Sequence, residues 1–191
     1  MTQKKFDSEC EMGQRTLGKI IYYKGDNTAN IFINGGIEAP EEYIEVNNLL
    51  ENVGCGYNIN FFINSNGGLV ESGIELAYMI QASKANTTAI ITHECCSSAT
   101  YAFMKSKNHV IYDCAYMLIH SFATSYDHSS VTRINKLITK DLEFNSIILN
   151  NIYGGFLTKK EIKEVSEGRE MYLYAPEIKK RIEIMKKERN K

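Results

Sequence analysis

The chain has 191 residues, 43% of them hydrophobic, with 22 basic side chains against 23 acidic ones and a formal net charge of −1. That length suits one domain whose core buries roughly 70% of the surface exposed by the unfolded chain, and the balanced charge gives no bulk attraction for nucleic acid or an anionic membrane. No apolar run approaches the roughly 20 residues that span a bilayer, and Met1 to Glu9 lack the apolar stretch of a secretion signal, so a cytoplasmic protein without a membrane segment is expected.

Residues 1–16 are polar and patternless, which predicts a flexible N-terminal arm ahead of a single domain over 17–191. Lys19 to Tyr23 and Ala29 to Ile33 are β-rich runs around Lys24-Gly25-Asp26-Asn27, the pattern of a hairpin. Pro40 opens a helix in which Glu41 and Glu42 favour the positive end and Tyr43, Val46, Leu49 and Leu50 recur at helical spacing, before Gly54 and Gly56 stop it. Strand Asn58 to Ile63 follows, then a helix from Leu69 to about Ser83 and a β-branched strand over Thr87 to Thr92. A helix is expected from about Cys96 to Lys105, and short strands over His109 to Tyr112 and Ala115 to His120. The longest helix is predicted over Ser129 to Tyr153, ending at Gly154-Gly155. Thr158 with Glu161 forms a capping-box start for the next helix, and Ala175-Pro176-Glu177 opens a terminal one whose basic end reads as a solvated helix face. Strands alternating with helices indicate an α/β fold, because parallel strands need helical crossovers.

Cys10, Cys55, Cys95, Cys96 and Cys114 form an odd set without Cys-x-x-Cys spacing, which reads as reduced thiols. His93, Cys95, Cys96 and Cys114 lack the ligand spacing of a zinc site, and adjacent cysteines on a helix would splay apart, so no metal is expected.

Three strand ends carry chemistry. Ser97 stands at the turn after Ile90-Ile91-Thr92-His93-Glu94-Cys95-Cys96, where it is read as starting a helix. His120 ends Tyr116-Met117-Leu118-Ile119-His120. Gly67-Gly68 follow Phe61-Phe62-Ile63-Asn64-Ser65-Asn66. A serine is a poor nucleophile until a base takes its proton, imidazole is the usual base near neutrality, and glycines between a strand and a helix let main-chain N–H groups face an oxyanion. The combination indicates a serine hydrolase, at the strand ends where α/β sheets collect ligands.

From about Ile31 to Glu177 the sequence resembles the proteolytic subunit family of the Clp protease, oligomeric serine endopeptidases that share a broad fold with the crotonases. Ile63-Asn64-Ser65-Asn66-Gly67-Gly68 is similar to that family's Ile-Asn-Ser-Pro-Gly-Gly, and Cys95-Cys96-Ser97-Ser98-Ala99 to its small-small-Ser-x-Gly turn. Met117-Leu118-Ile119-His120 resembles its Met-Ile-His, and Leu173-Tyr174-Ala175-Pro176-Glu177 the segment after its triad aspartate. The resemblance implies a repeated ββα superhelix with a protruding long handle helix, no cofactor, and homo-oligomers built as a heptameric ring or double ring. It implies Ser97 as nucleophile, His120 as general base and acid, Gly68 and Ser98 N–H groups as the oxyanion hole beside Gly67, and Glu170 where the family has aspartate. A polypeptide substrate and an ATP-dependent unfoldase partner come with it.

The departures leave alternatives open. Glutamate carries one more methylene than aspartate, and Asp127 or Asp113 could serve instead. The stretch Ser121-Phe122-Ala123-Thr124-Ser125-Tyr126-Asp127-His128 lacks the family's Gln-Pro and glycine-rich strand, its N-terminal gate is not recognisable in Met1 to Leu17, and its terminal Gly-Leu-Ile-Asp is replaced by Ile178-Lys179-Lys180-Arg181. Other readings are therefore a catalytically weak structural subunit co-assembling with an active paralogue, a viral head-maturation protease, and, last, a crotonase-like acyl-CoA enzyme.

Overall fold

The structure, a computed structural model, describes residues 21–23, 27–125 and 130–189. The arm expected over 1–16, Cys10, most of the first turn and Asp127 lie outside the described residues.

A seven-stranded sheet organises the chain in the order β1-β2-β3-β4-β6-β7, with β5 set against β4. Strand β1 (Ile21–Tyr23) runs antiparallel to β2 (Thr28–Ile37), as the hairpin pattern predicts. Next come β3 (Asn58–Gly68) and β4 (Asn86–Cys96), parallel to β2 and to each other. Alternate residues of β3, Ile59, Phe61, Ile63 and Ser65, are fully buried, and the intervening positions form cross-strand ladders. Phe32 stacks on Phe62 with centroids 4.8 Å apart. The side-chain amides of Asn86 and Asn108 donate to Asn58 and Asn86 at 3.0 and 2.7 Å, tying three strand starts in register.

The first crossover combines a 3₁₀ turn, Pro40–Tyr43, with helix α1 (Ile44–Asn52), which buries Tyr43, Val46 and Leu50 and stops ahead of Gly54. Helix α2 (Val70–Ala82) packs Leu76, Ala77 and Ile80 into the core beside α3 (Ala99–Lys105). The helix expected from Cys96 thus starts three residues later. β4 is long enough to pair with two strands in succession, β5 (Asn108–Ile111) along Thr88 to Ile91 and β6 (Tyr116–Ile119) along Glu94 to Cys96. Pairing with β6 keeps Cys95 and Cys96 extended, so they face opposite sides of the sheet and do not splay around a helix.

Helix α4 (Val131–Tyr153) is the longest element. Its buried residues, Asn145, Ile148, Leu149, Ile152 and Tyr153, all fall in its last part, so the preceding three to four turns protrude, about 20 Å at 1.5 Å per residue. Helix α5 (Lys159–Ser166) begins with the expected capping box: the Glu161 N–H donates to Thr158 Oγ1 at 3.2 Å, and the Thr158 N–H donates to Glu161 Oε2 at 2.8 Å. A strand that sequence periodicity does not reveal, β7 (Met171–Tyr174), then pairs antiparallel with β6. Four residues with Met171 and Leu173 inward and Tyr172 and Tyr174 outward are too few to separate a strand from the start of α6 (Ala175–Arg189), and only the partner β6 selects it. The architecture is the α/β fold with a projecting helix that the sequence implies.

Candidate active site

Ser97 follows the last residue of β4 and adopts φ +53°, one of two described non-glycine residues in the left-handed region. That conformation costs about 1–2 kcal/mol and persists only where surrounding contacts impose it. They do so here. Cys96 pairs with Leu118, the Ser97 N–H donates to Leu118 O at 2.8 Å, and the Ser97 carbonyl accepts the Thr100 N–H at 3.0 Å. Ser97 is therefore not the first residue of a helix but the pivot of a strand-to-helix turn, and Ser98, at φ −59° and ψ −22°, carries the chain into α3.

The end of β3 closes against this turn. Gly67 lies so near that a methyl group on it would sit 2.5 Å from Ser97 Cβ, 2.7 Å from Cys96 O and 3.2 Å from Ser97 Oγ. No side chain fits, and the Gly67 φ of +91° excludes most for conformational reasons too. A methyl on Gly68 would meet Ile37 O at 2.3 Å. Ser65 fixes the approach: its hydroxyl donates to Gly35 O at 2.5 Å and accepts the Gly67 N–H at 3.1 Å. Gly67 and Ser97 thus lie against each other.

His120 is half-buried directly after β6, the strand that pairs with the end of β4. Its Nδ1 lies 2.5 Å from Ser121 O, and the Ser121 hydroxyl donates to Val165 O at 2.6 Å, tying this stretch to α5. Among the described residues no hydrogen bond joins the Ser97 hydroxyl to the His120 ring. The last β6–β7 pair is Ile119 with Met171, so continuing that antiparallel register by one place sets Glu170 across from His120. Glu170 is exposed and makes no hydrogen bond or ion pair among the described residues, whereas its neighbour Arg169 pairs with Glu164. Asp113 precedes β6 at the end opposite His120 and binds Lys179 at 2.6 Å, which lowers its carboxyl pKa and commits it elsewhere.

Two cysteines stand beside the serine. Burial pushes the Cys95 thiol well up and also raises that of Cys96, with Glu94 adding to the latter, so neither offers thiolate near neutrality. The hydroxyl of Ser97 is the group at this turn that a neighbouring base could activate. Sequence reasoning passed over Ser121, Thr100 and Tyr153. Thr100 Oγ1 contacts both Ser97 O and Tyr153 Oη, and the only local signal for this is a threonine buried in the first turn of a short helix.

A mostly parallel sheet sets a strained serine turn, a glycine cradle and a histidine at neighbouring strand ends, the place where α/β sheets collect ligands. The family model described as Clp protease matches residues 17–180, and the chain belongs to the Clp protease family. Among solved structures it is similar to a ClpP1 mutant from Listeria monocytogenes, at 22% identity and a TM-score of 0.67 over 80% of this chain and 86% of that one, a likeness of fold. No curated protein matches the chain.

Proposed function

We propose that this Clp-type family member is a serine endopeptidase in which Ser97 attacks the peptide carbonyl. The observation that carries the reading is the left-handed Ser97 turn wedged against Gly67, since a non-glycine residue held in that strained conformation is the kind of feature that clusters where a side chain must be presented. His120 takes the Ser97 proton as the Oγ–C bond forms and returns it to the leaving amine; water, activated by the same imidazole, then releases the acyl group. The Gly68 and Ser98 N–H groups hold the oxyanion. Along β3, the Leu69 N–H donates to Ile37 O, and the alternation of strand amides turns the Gly68 N–H away from β2. Glu170 orients the imidazole by swinging its exposed carboxylate onto Nδ1, in place of the Ser121 carbonyl that holds Nδ1 in the free chain.

Residues 17–191 act as one domain in this reading. The substrate is an unfolded or accessible polypeptide, and the family relationship supports a ring, heptameric and single or double, served by an ATP-dependent unfoldase. The unpartnered Glu170 favours one second reading, a catalytically weak subunit of a mixed ring. Labelling with a fluorophosphonate probe separates the two. Modification mapped to Ser97 and lost in His120→Ala is the expected result, and a folded oligomer that resists the probe would leave only the structural role.

A further inference from the structure

Helix α4 ends on Tyr153, whose ring is buried edge-on to Tyr101 with centroids 6.2 Å apart. The Tyr153 hydroxyl lies 2.5 Å from Thr100 Oγ1, and Thr100 Oγ1 lies 2.6 Å from Ser97 O. A carbonyl only accepts, so the single Thr100 hydroxyl hydrogen goes to Ser97 O, and Tyr153 must be the donor to Thr100. The chain of bonds therefore has one direction, from the phenol through the threonine to the serine carbonyl. Burial pushes the phenol pKa well up, so the hydrogen stays on Tyr153 at neutral pH.

The Ser97 carbonyl is one half of a rigid peptide plane whose other half is the Ser98 N–H, and in a trans peptide the two point in opposite directions. Anchoring the carbonyl on Thr100 therefore aims the Ser98 amide away from the Thr100 hydroxyl. An oxyanion donor is effective only when it is already aimed at the place where charge develops. We propose that Tyr153 and Thr100 are positioning residues that aim the Ser98 amide at the oxyanion through the Ser97 carbonyl, an inference that rests on Ser97 being the nucleophile. Neither residue touches substrate. A phenylalanine would fill the Tyr153 site equally well, and a valine the Thr100 site, so packing alone accounts for neither hydroxyl.

The test measures fluorophosphonate labelling of Ser97 in the full chain, with melting temperature as control and kcat and KM on a peptide substrate. Tyr153→Phe and Thr100→Val are each expected to label and turn over about tenfold more slowly, with KM little changed, because the amide acts in the transition state. Thr100→Ser, which keeps the hydroxyl, is expected to recover most of the rate lost in Thr100→Val. Folded Tyr153→Phe and Thr100→Val proteins that label at the wild-type rate would overturn the positioning role while the nucleophile stands, as would Thr100→Ser being as slow as Thr100→Val. Wild-type protein left unlabelled at Ser97 would overturn both readings. If Tyr153→Phe does not fold, the two Thr100 variants decide the matter.

Discussion

The two halves of the candidate site are held by different physics. Around Ser97 the neighbours are backbone and buried side chains: Leu118 O, Cys96 O, Gly67 and the Thr100 hydroxyl all lie within contact, and no methyl group could be added. Around Glu170 there is open space. The residue is exposed on the approach to the edge strand β7, and a methyl on nearby Gly168 would meet nothing within 4 Å. The nucleophile is thus fixed by close packing, while the acid is placed only by the register of β6 and β7. Substitutions should be felt in that order.

The harshest way to probe the contrast is Gly67→Ala. Its methyl would fall 2.5 Å from Ser97 Cβ and 2.7 Å from a main-chain oxygen, so the backbone has to move. A loss of about 3 kcal/mol or more in denaturant unfolding is expected, with Ser97 labelling abolished. An alanine variant that melts and labels like wild type would erase the difference between the halves.

Glu170→Gln asks the opposite question. The amide keeps the size and removes the charge, so stability should hardly change at an exposed position, while turnover should fall by up to about 10⁴-fold if the carboxylate orients His120 and stabilises the imidazolium. Turnover within twofold of wild type would assign the orientation of His120 to the Ser121 carbonyl, 2.5 Å from Nδ1.

The same contrast governs what could be read from the sequence. Gly67, Ser97 and His120 were legible because each ends a strongly apolar strand, and strand ends converge in an α/β sheet. The extension of β4 through Cys96 was not, since it depends on β6 arriving alongside, and β7 was hidden because four alternating residues followed by a proline look like a helix approach. The left-handed Ser97 and the Tyr153 to Thr100 bond are tertiary facts, joining residues 53 positions apart, and no local pattern announces them. The projecting part of α4 misleads in another way. Val131, Ile138 and Leu142 keep helical spacing but stay exposed, at 73, 40 and 57%, so apolar periodicity there marks a surface of this chain and not its core.

The loose half is anchored at its root. Arg181 of α6 grips Glu161 of α5 through both carboxylate oxygens, at 2.7 and 3.0 Å, and also holds Glu177 at 2.8 Å. The Arg181 guanidinium, with help from Thr158 and against the effect of burial, pulls the Glu161 carboxyl from 4.5 down to about 2. The folded state thus binds this proton less readily than the unfolded state, so the stabilisation is complete above 4.5 and is lost as pH falls through that window towards 2. Glu161→Gln should cost about 1–2 kcal/mol at neutral pH. Its melting temperature should also fall less than that of wild type as pH is lowered from 5 to 2; parallel curves would show that the pair does not anchor the limb.

The smallest effect is expected at Gly168, two residues before Glu170. Its φ of +100° is one that alanine adopts reluctantly, but a methyl there meets nothing within 4 Å, so the cost is conformational only, about 1 kcal/mol. Because Arg169 beside it is already tied to Glu164 and the Gly168 N–H donates to Val165 O at 3.0 Å, the turn should keep its path. Gly168→Ala should therefore label at Ser97 as fast as wild type while melting slightly lower. Equal losses from alanine at Gly67 and at Gly168 would mean that strain in the backbone, and not crowding against the serine, sets the cost at both. Losses that differ by several-fold would assign the stiffness of the nucleophile half to the contact between Gly67 and Ser97 itself.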